Sequence, residues 1–452
     1  MDAVIFGAGR RGLRLARHLI EEGKSVTFLD SSPARASLAQ SKLDCMAVTG
    51  SATDMEKLRE AGCENAGIVV SVTDSDEVNL VSCGLVSASF PSVRTIATIR
   101  GLTYLSDSGN PVSLLGISNI VNPEQEASQR LYDIITSGLF CDVAYFPGAH
   151  YIVTTKTVLK GDAFVNKNLI QVKQEMPGRY LLAGVEHKGK VSTATGNTVI
   201  REGDEIAVIC DDDERAEVFS YFGISFTDFN LKRIVFVGGT RICKYLLLKL
   251  PREMHKSITL VEKDGDVCKE FAEIFPDILI LNGAITDENF WEEESIADSD
   301  LFASMTENDE LNVIVSSYAK TQGARRTIAL IKTNNNYITL AKAMGIDATV
   351  STTEATVDAI MKILRGESVR TLHSIFDGKI EVYEYVIKPT FVHLDKSLKE
   401  INFKGTAVIG GVSRGNENFI PDGSYVFRSG DTVLVAALHK DYEYVKRLFG
   451  GL

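Results

Sequence analysis

Short β-branched apolar runs alternate along this chain with segments in which apolar residues recur at helical spacing. Residues 26–29 form such a run and precede a helical pattern at 33–41. Residues 68–72 form another and precede a helical pattern that starts at Glu77. Strand-length runs that alternate with helices predict a parallel sheet covered by helices.

The same order of features occurs twice in the chain. The strand and turn VIFGAGR at residues 4–10 match VFVGGTR at residues 235–241. Later matches keep the same order, and all the pairs are offset by 231 to 233 residues. These later matches pair residues 49–54 with 282–287, 73–79 with 306–312, and 95–100 with 327–332. Such self-similarity indicates two copies of one structural unit.

Each copy continues into a smaller segment that is richer in strands and glycine turns, at about residues 140–225 and 370–450. Residues 199–204 in the first segment resemble residues 426–431 in the second. We therefore expect an α/β protein with two tandem Rossmann-like parallel-sheet domains, each followed by a small α+β domain. The predicted boundaries are 1–139 and 229–368 for the parallel-sheet domains, and 140–228 and 369–452 for the small domains.

A helix is predicted between the two parts of each copy. Asn122 is a good capping residue and Pro123 suits the first position of a helix that runs to about residue 137. In the second copy, residues 351–354 have the spacing of a capping box, and the helix is expected to end near Gly366. We expect these helices to be hinges or crossovers of the two halves.

The first glycine turn has the pattern of a dinucleotide site. Gly7 allows a tight turn after the first strand, Gly9 lets the backbone approach a pyrophosphate, and Gly12 lets helix and strand come close. Asp30 ends the second strand and is placed to accept hydrogen bonds from a ribose. The alternative is a turn that is kept for packing and has lost its ligand.

Residues near the glycine turn and at three more strand ends are expected to complete this site, because ligands of open parallel sheets lie across the carboxyl ends of the strands. Two adjacent arginines beside a helix start suit phosphate. Asp54 and Asp74 have an alternative role as helix caps. The candidate binding residues are Gly7, Ala8, Gly9, Arg10, Arg11, Gly12, Asp30, Ser51, Ala52, Thr53, Asp54, Thr73, Asp74, Asn79 and Arg100.

The second copy differs where the backbone has to approach the ligand most closely. Thr240 stands in the place of Gly9, and Cys243 stands in the place of Gly12. Because both changes add a side chain, we expect weak, altered or absent nucleotide binding there. The candidate residues of this second, weaker site are Gly238, Gly239, Arg241, Glu262 and Asp287.

Composition and charge narrow the classes of function. The chain has 452 residues, of which 44% are hydrophobic and 24% charged, as expected of a multidomain globular protein. Its net charge of −12 argues against a nucleic-acid surface, and its apolar runs fall short of the roughly 20 residues of a membrane span. The glycine motif starts at residue 7, which leaves no room for a signal peptide, so we expect a cytosolic chain.

No pattern of catalytic or metal-ligating residues accompanies the glycine motif in the sequence. The seven cysteines include no C-x-x-C pair, so neither a disulfide framework nor a zinc site is predicted. The seven histidines are scattered, and none recurs at the matching place in the other copy. Neither a G-x-S-x-G elbow nor a Walker A motif is present. We predict no catalytic residues and no metal site.

On these residues, the chain resembles the Trk-type potassium uptake regulatory proteins, which consist of two tandem RCK units, also called KTN units. The resemblance covers essentially the whole chain, and the double occurrence of the unit is what singles out this family. The most specific elements are GAGRRG at 7–12 with Asp30, the loop at 51–54, the element at 73–79 and the small-domain strands at 203–205 and 430–431.

The resemblance implies that the larger domains bind NAD(H) or an adenine nucleotide (ATP or ADP) as a regulatory ligand. It implies that the small domains are RCK C-terminal domains of a homotetramer, peripheral on the cytosolic face of the plasma membrane. The implied partner is a membrane-embedded Trk-type potassium transporter subunit, and not a nucleic acid. Two alternatives to such a non-enzymatic regulator stay open: an NAD-dependent oxidoreductase with a substrate pocket in the small domains, and a ligand-binding interaction protein unrelated to transport.

Overall fold

A computed structural model of the protein describes residues 2–101, 114–137, 143–146, 148–224, 231–294, 296–332, 336–365, 369–376, 378–401, 407–415 and 417–449. The predicted domain boundaries after residues 139, 228 and 368 lie outside these ranges, as does the predicted helix end at Gly366. No helix within the described ranges is long and apolar enough to cross a membrane.

The first parallel sheet has the strand order β3-β2-β1-β4-β5-β6. Its strands are β1 (Ala3–Phe6), β2 (Val26–Asp30), β3 (Met46–Thr49), β4 (Ile68–Ser71), β5 (Arg94–Thr98) and β6 (Asn119–Val121). Its helices are α1 (Arg10–Glu21), α2 (Pro33–Lys42), α3 (Met55–Glu60) and α4 (Asp76–Ser89), and α5 (Pro123–Ser137) follows. The strand order reverses at β1, so the carboxyl ends of β1 and β4 lie at the switch point where such sheets bind ligands.

The first small domain contains an antiparallel sheet with the order β10-β9-β11-β8-β7. Its strands are β7 (Val143–Phe146), β8 (Tyr151–Thr157), β9 (Tyr180–His187), β10 (Lys190–Thr193) and β11 (Glu205–Asp211). Its helices are α6 (Leu169–Glu175) and α7 (Arg215–Phe222). The α+β character predicted for this segment is confirmed.

The second parallel sheet repeats the first, with the order β14-β13-β12-β15-β16-β17. Its strands are β12 (Ile234–Val237), β13 (Ile258–Glu262), β14 (Leu279–Asn282), β15 (Leu301–Ser304), β16 (Arg326–Ile331) and β17 (Ala348–Ser351). The helices are α8 (Arg241–Lys249), α9 (Arg252–His255), α10 (Gly265–Ile274), α11 (Glu288–Glu293), α12 (Asp309–Gln322), α13 (Asn336–Ala343) and α14 (Thr352–Arg365).

The second small domain has an antiparallel sheet in the order β18-β19-β22-β20-β21 and ends in a helix. Its elements are β18 (Val369–Ile375), β19 (Ile380–Val386), β20 (Ala407–Arg414), β21 (Glu417–Phe419), β22 (Thr432–Leu438) and α15 (Tyr442–Phe449). The repeated order of a parallel sheet followed by an antiparallel sheet confirms the predicted fold class.

The two linking helices pack away from the parallel sheet that precedes each of them. Ala127, Leu131 and Ile134 of α5 belong to the hydrophobic core of the second parallel sheet. Val357 and Ile360 of α14 belong to a core that combines the first parallel sheet with the second small domain. Both helices are therefore crossovers, as the sequence predicted.

These contacts divide the chain into two compact units. The first unit comprises residues 1–123, 146–218 and 356–452, and so contains the first parallel sheet and most of both small domains. The second unit comprises residues 124–145 and 219–355, and so contains the second parallel sheet.

Candidate nucleotide site

The turn between β1 and α1 needs glycine at two of its three motif positions. Gly7 has a φ of +98°, in the region that L side chains rarely adopt. A Cβ atom at Gly12 would lie 2.0 Å from the carbonyl oxygen of Gly7, which no packing adjustment of side chains can relieve. These two glycines are explained by the geometry of the turn itself.

Gly9 differs from these two, because neither the turn nor its packing requires a glycine there. It is the N-cap residue of α1 and makes no side-chain cap hydrogen bond, and a Cβ placed on it would meet nothing within 4 Å. The first N–H groups of a helix have no partner within the helix, and together with the helix dipole they attract anions. Arg10, which is exposed, and Arg11, which is partly exposed, occupy the first turn of α1. This helix start suits a phosphate.

Asp30 is buried at the end of β2 and braces the glycine turn. Its Oδ2 atom accepts a hydrogen bond of 2.7 Å from the backbone N–H of Ala8, and its Oδ1 atom accepts one of 2.8 Å from the backbone N–H of Ser32. A carboxylate has about four acceptor positions in all, so these two bonds leave capacity for ribose hydroxyls. The structure thus gives Asp30 a structural role that is compatible with the predicted one.

The loop after β3 holds four candidate residues in two different environments. Asp54 caps α3, because its Oδ1 atom accepts from the backbone N–H of Glu56 at 2.9 Å. Ala52 is buried in the hydrophobic core below the loop. The hydroxyls of Ser51 and Thr53 lie 2.8 Å apart, and both residues are exposed.

Asn79 is a buried connector and not an exposed ligand. Its side-chain oxygen accepts hydrogen bonds from the Ser71 hydroxyl at 2.8 Å and from the Thr73 backbone and hydroxyl at 3.0 and 2.7 Å. Its amide donates to the Thr98 carbonyl at 2.8 Å. It therefore ties the carboxyl ends of β4 and β5 together. The Thr73 backbone would lie 3.2 Å from a Cβ on Gly7, so this network also holds the loop against the glycine turn.

Arg100 is held by an acid that sequence reasoning did not select. Asp76 accepts from the backbone N–H of Arg100 at 2.9 Å and from that of Gly101 at 2.8 Å, and its other oxygen contacts the Arg100 Nε atom at 3.2 Å. The guanidinium also donates to the backbone carbonyl of Asp74, whose own exposed side chain lies 3.7 Å from Arg35. Asp76 is the first residue of α4 and follows closely after the end of β4, and this position was the sequence signal that could have identified it.

The second glycine turn has the same brace but a different helix start. Gly238 has a φ of +99°, and the Glu262 carboxylate accepts from the backbone N–H of Gly239 at 2.6 Å. Thr240 caps α8 by accepting from the backbone N–H of Cys243 at 3.4 Å, and it donates to the Met305 carbonyl at 3.0 Å. A side chain thus occupies the place that Gly9 leaves open in the first copy.

Two charged groups and a buried thiol distinguish the second helix start further. The Nε atom of Arg241 lies 2.9 Å from a carboxylate oxygen of Glu124, which is largely buried. This places an internal carboxylate beside the arginine at the start of α8. Cys243 is fully buried, and burial raises the pKa of its thiol. Asp287 is exposed and directly precedes α11, as Asp54 precedes α3.

The polar network around Asn79 is present in both copies. Asn312 accepts from the Ser304 hydroxyl at 2.8 Å and from the Thr306 backbone at 2.9 Å, and it donates to the Leu330 carbonyl at 2.9 Å. Asp309 accepts from the backbone N–H of Lys332 at 2.7 Å, as Asp76 does from Arg100. The repeated motifs at 73–79 and 306–312 therefore connect neighbouring strands of the sheet, in addition to any contact they make with a ligand.

Family models match four segments of the chain. The TrkA-N domain model matches residues 3–123 and 234–352, and the TrkA-C domain model matches residues 154–223 and 382–450. These segments are the two parallel-sheet regions and the two small domains, in tandem.

Relatives of the same length match the whole chain. The Trk system potassium uptake protein TrkA of Halomonas elongata is 29% identical, with 99% of this chain and 98% of the relative covered. TrkA homolog 1 of Methanosarcina mazei is 27% identical, with 99% of this chain and 100% of the relative covered.

Solved structures share the fold at low sequence identity. The RCK domain of GsuK aligns with a TM-score of 0.57 at 15% identity, covering 100% of this chain and 95% of that one. A structure described as the GsuK channel bound to NAD aligns with a TM-score of 0.57 at 15% identity, covering 100% of this chain and 79% of that one. These two likenesses show the fold, and the tandem domain matches, which cover more than half of the chain, show that it belongs to the TrkA family of Trk system potassium uptake proteins.

Proposed function

We propose that this chain is a regulatory subunit that senses a nucleotide and gates a separate, membrane-embedded Trk-type potassium transporter. The observation that carries the proposal is the difference between two otherwise matched glycine turns. Gly9 leaves the start of α1 without a side-chain cap, whereas the Thr240 hydroxyl caps the start of α8. One competent nucleotide site per chain follows from this difference.

The proposed ligand is NAD(H), ATP or ADP. The uncapped start of α1 offers backbone N–H groups and a positive dipole to phosphate, and Arg10 and Arg11 add charge beside it. Asp30 is placed to accept hydrogen bonds from the ribose. The GsuK channel, which has the same fold, is described with NAD bound. We propose that the ligand is regulatory and that no chemistry is done on it.

A route from the nucleotide site to the rest of the first unit runs through α1. This helix begins at the glycine turn, and Leu15, Ala16 and Leu19 belong to a hydrophobic core that also contains Tyr383 and Val435 of the second small domain. A nucleotide that shifts α1 therefore acts on the packing of that domain. Such a ligand changes the populations of two arrangements only by its difference in affinity for them.

The proposed assembly is a homotetramer on the cytosolic face of the plasma membrane, held there by the transporter subunit. Support comes from the full-length relatives, which are named as potassium uptake proteins of the Trk system. The net charge of −12 does not favour direct attachment to anionic lipid, so attachment through a protein partner fits better.

The direct test is potassium flux in proteoliposomes that contain the cognate membrane subunit, with and without this chain, and with ATP, ADP, NAD or NADH. We expect the chain to change the flux and the size of the change to depend on the nucleotide. Flux that is the same with and without the chain, at every nucleotide, would refute the gating proposal. Turnover of a nicotinamide cofactor by the chain alone would refute its non-enzymatic part.

A further inference from the structure

Three side chains with metal-ligating atoms meet inside the first unit, away from the glycine turn. His18 lies on α1, Glu381 on β19, and His439 directly after β22. Their exposed fractions are 2%, 0% and 1%. The ligand atoms of the three side chains all lie within 4.8 Å of one another. The cluster thus joins the far end of the nucleotide-site helix to the second small domain.

The ring nitrogens of His18 are buried without hydrogen-bond partners among the described residues. Leaving a buried polar group without a partner costs free energy, and such groups are rare.

His439 is oriented as metal-bound histidines commonly are. Its Nε2 atom lies 2.7 Å from the backbone carbonyl oxygen of His18, to which it donates. A ligating imidazole usually donates its second ring N–H to a carbonyl or carboxylate. The Nδ1 atom is thereby directed towards Glu381, 3.0 Å from its Oε1 atom.

That distance suits two ligands of one ion. Bonds of about 2.0 Å in a tetrahedral zinc site separate neighbouring ligand atoms by about 3.3 Å. The His439 and Glu381 atoms are already close to that separation. The His18 ligand atom lies within 4.8 Å of the other two, so it would have to approach them by at most about 1.5 Å.

Glu381 is held in place by its other oxygen. The Oε2 atom accepts a hydrogen bond of 2.9 Å from Arg365 and another from the Tyr383 hydroxyl, and Oε1 accepts a longer one of 3.2 Å from Arg365. These partners fix the orientation of Oε1, as groups behind a metal ligand do.

Two carboxylates meet one guanidinium beside the cluster. Arg365 also donates to Glu22 and lies over the Tyr442 ring at 3.4 Å. Two carboxylates, Glu22 and Glu381, therefore pair with a single guanidinium. Two imidazoles and one carboxylate are the donor set of borderline divalent ions such as Zn²⁺, and not of Mg²⁺ or Ca²⁺, which take oxygen ligands.

We propose that His18, Glu381 and His439 bind one divalent transition-metal ion, with Zn²⁺ as the best match, and that the ion fastens α1 to the second small domain. The fourth position of the ion is taken by water. This site is separate from the nucleotide turn and adds a second ligand to the first unit.

The test uses the full-length protein after treatment with a chelator. Calorimetric titration with Zn²⁺ alone is expected to show one site per chain. Thermal unfolding is expected to show a higher melting temperature with Zn²⁺ than without it. Co²⁺ as a probe is expected to give the visible absorption bands of a low-symmetry, four-coordinate site.

The discriminating variant is His18→Leu, because this ring makes no hydrogen bond that its removal would break. We expect Zn²⁺ affinity to fall at least tenfold while the metal-free variant melts at the same temperature as the parent or higher. His255→Leu is the matched control, since His255 is also buried but bonds the Leu247 carbonyl at 3.0 Å. It should melt lower and bind Zn²⁺ as the parent does. Absence of a one-to-one Zn²⁺ site in the parent, or equal affinity in His18→Leu, would overturn the proposal.

Discussion

Replacing Gly9 by the residue that stands at this place in the second copy tests the nucleotide site without disturbing the fold. The backbone at Gly9 has a φ of −76° and a ψ of −172°, which threonine adopts without strain. A Cβ there meets nothing within 4 Å. Threonine and glycine differ by only a few tenths of a kcal/mol as N-caps. Gly9→Thr should therefore change the free energy of unfolding by less than about 0.5 kcal/mol.

The same substitution should weaken nucleotide binding strongly. In the second copy, the Thr240 hydroxyl accepts from the backbone N–H of Cys243, so in Gly9→Thr the new hydroxyl would take the N–H of Gly12. The side chain would also fill the space beside the helix start. We expect the dissociation constant for NADH and ATP to rise at least tenfold, or about 1.4 kcal/mol.

The assay pairs calorimetric titration with thermal unfolding of the same samples. Gly161→Thr is the control, because Gly161 lies in an exposed loop of the first small domain where a Cβ also meets nothing within 4 Å. It should leave both affinity and stability unchanged. Unchanged affinity in Gly9→Thr, at unchanged stability, would show that the start of α1 is not the phosphate site.

Three further predictions concern stability. Gly12→Ala places a Cβ 2.0 Å from a carbonyl oxygen of the turn and should lower the free energy of unfolding by about 1–3 kcal/mol in denaturant titrations. Asn79→Ala leaves buried donors and acceptors unpaired and should cost about 2–4 kcal/mol, whereas the exposed control Asn65→Ala should cost less than about 0.5 kcal/mol; equal losses would contradict the connector role. Although burial opposes it, hydrogen bonding by Arg414 lowers the pKa of Asp431, so this group's contribution to stability is present above the unfolded pKa of about 3.9 and is lost as the pH falls through the folded pKa. Asp431→Asn should accordingly reduce the loss of unfolding free energy measured between about pH 5 and pH 3.

The sequence predicted correctly those features of the fold that depend on local residue patterns. The repeat predicted both parallel sheets, both small domains and the two linking helices, because strand and helix periods and capping residues such as Asn122 are local signals. The roles of Gly7 and Gly12 also followed from spacing alone, since the turn geometry between strand and helix is fixed by the backbone.

Partnerships across the chain could not be predicted in the same way. Asn79 fits a binding motif by spacing, and only the placement of Ser71 and Thr98 at neighbouring strand ends shows that it connects the sheet. His18 and His439 are 421 residues apart, and no periodic pattern relates them. Their meeting depends on α14 crossing to the first parallel sheet, which is a property of tertiary packing.

The central claim is that a nucleotide at the first glycine turn controls potassium transport. The most direct measurement compares potassium flux through the reconstituted transporter at saturating ATP and at saturating NADH, with the parent chain and with Gly9→Thr. We predict that the parent chain gives different fluxes with different nucleotides and that Gly9→Thr gives one flux with all of them. A nucleotide-dependent flux that persists unchanged in Gly9→Thr would contradict the account.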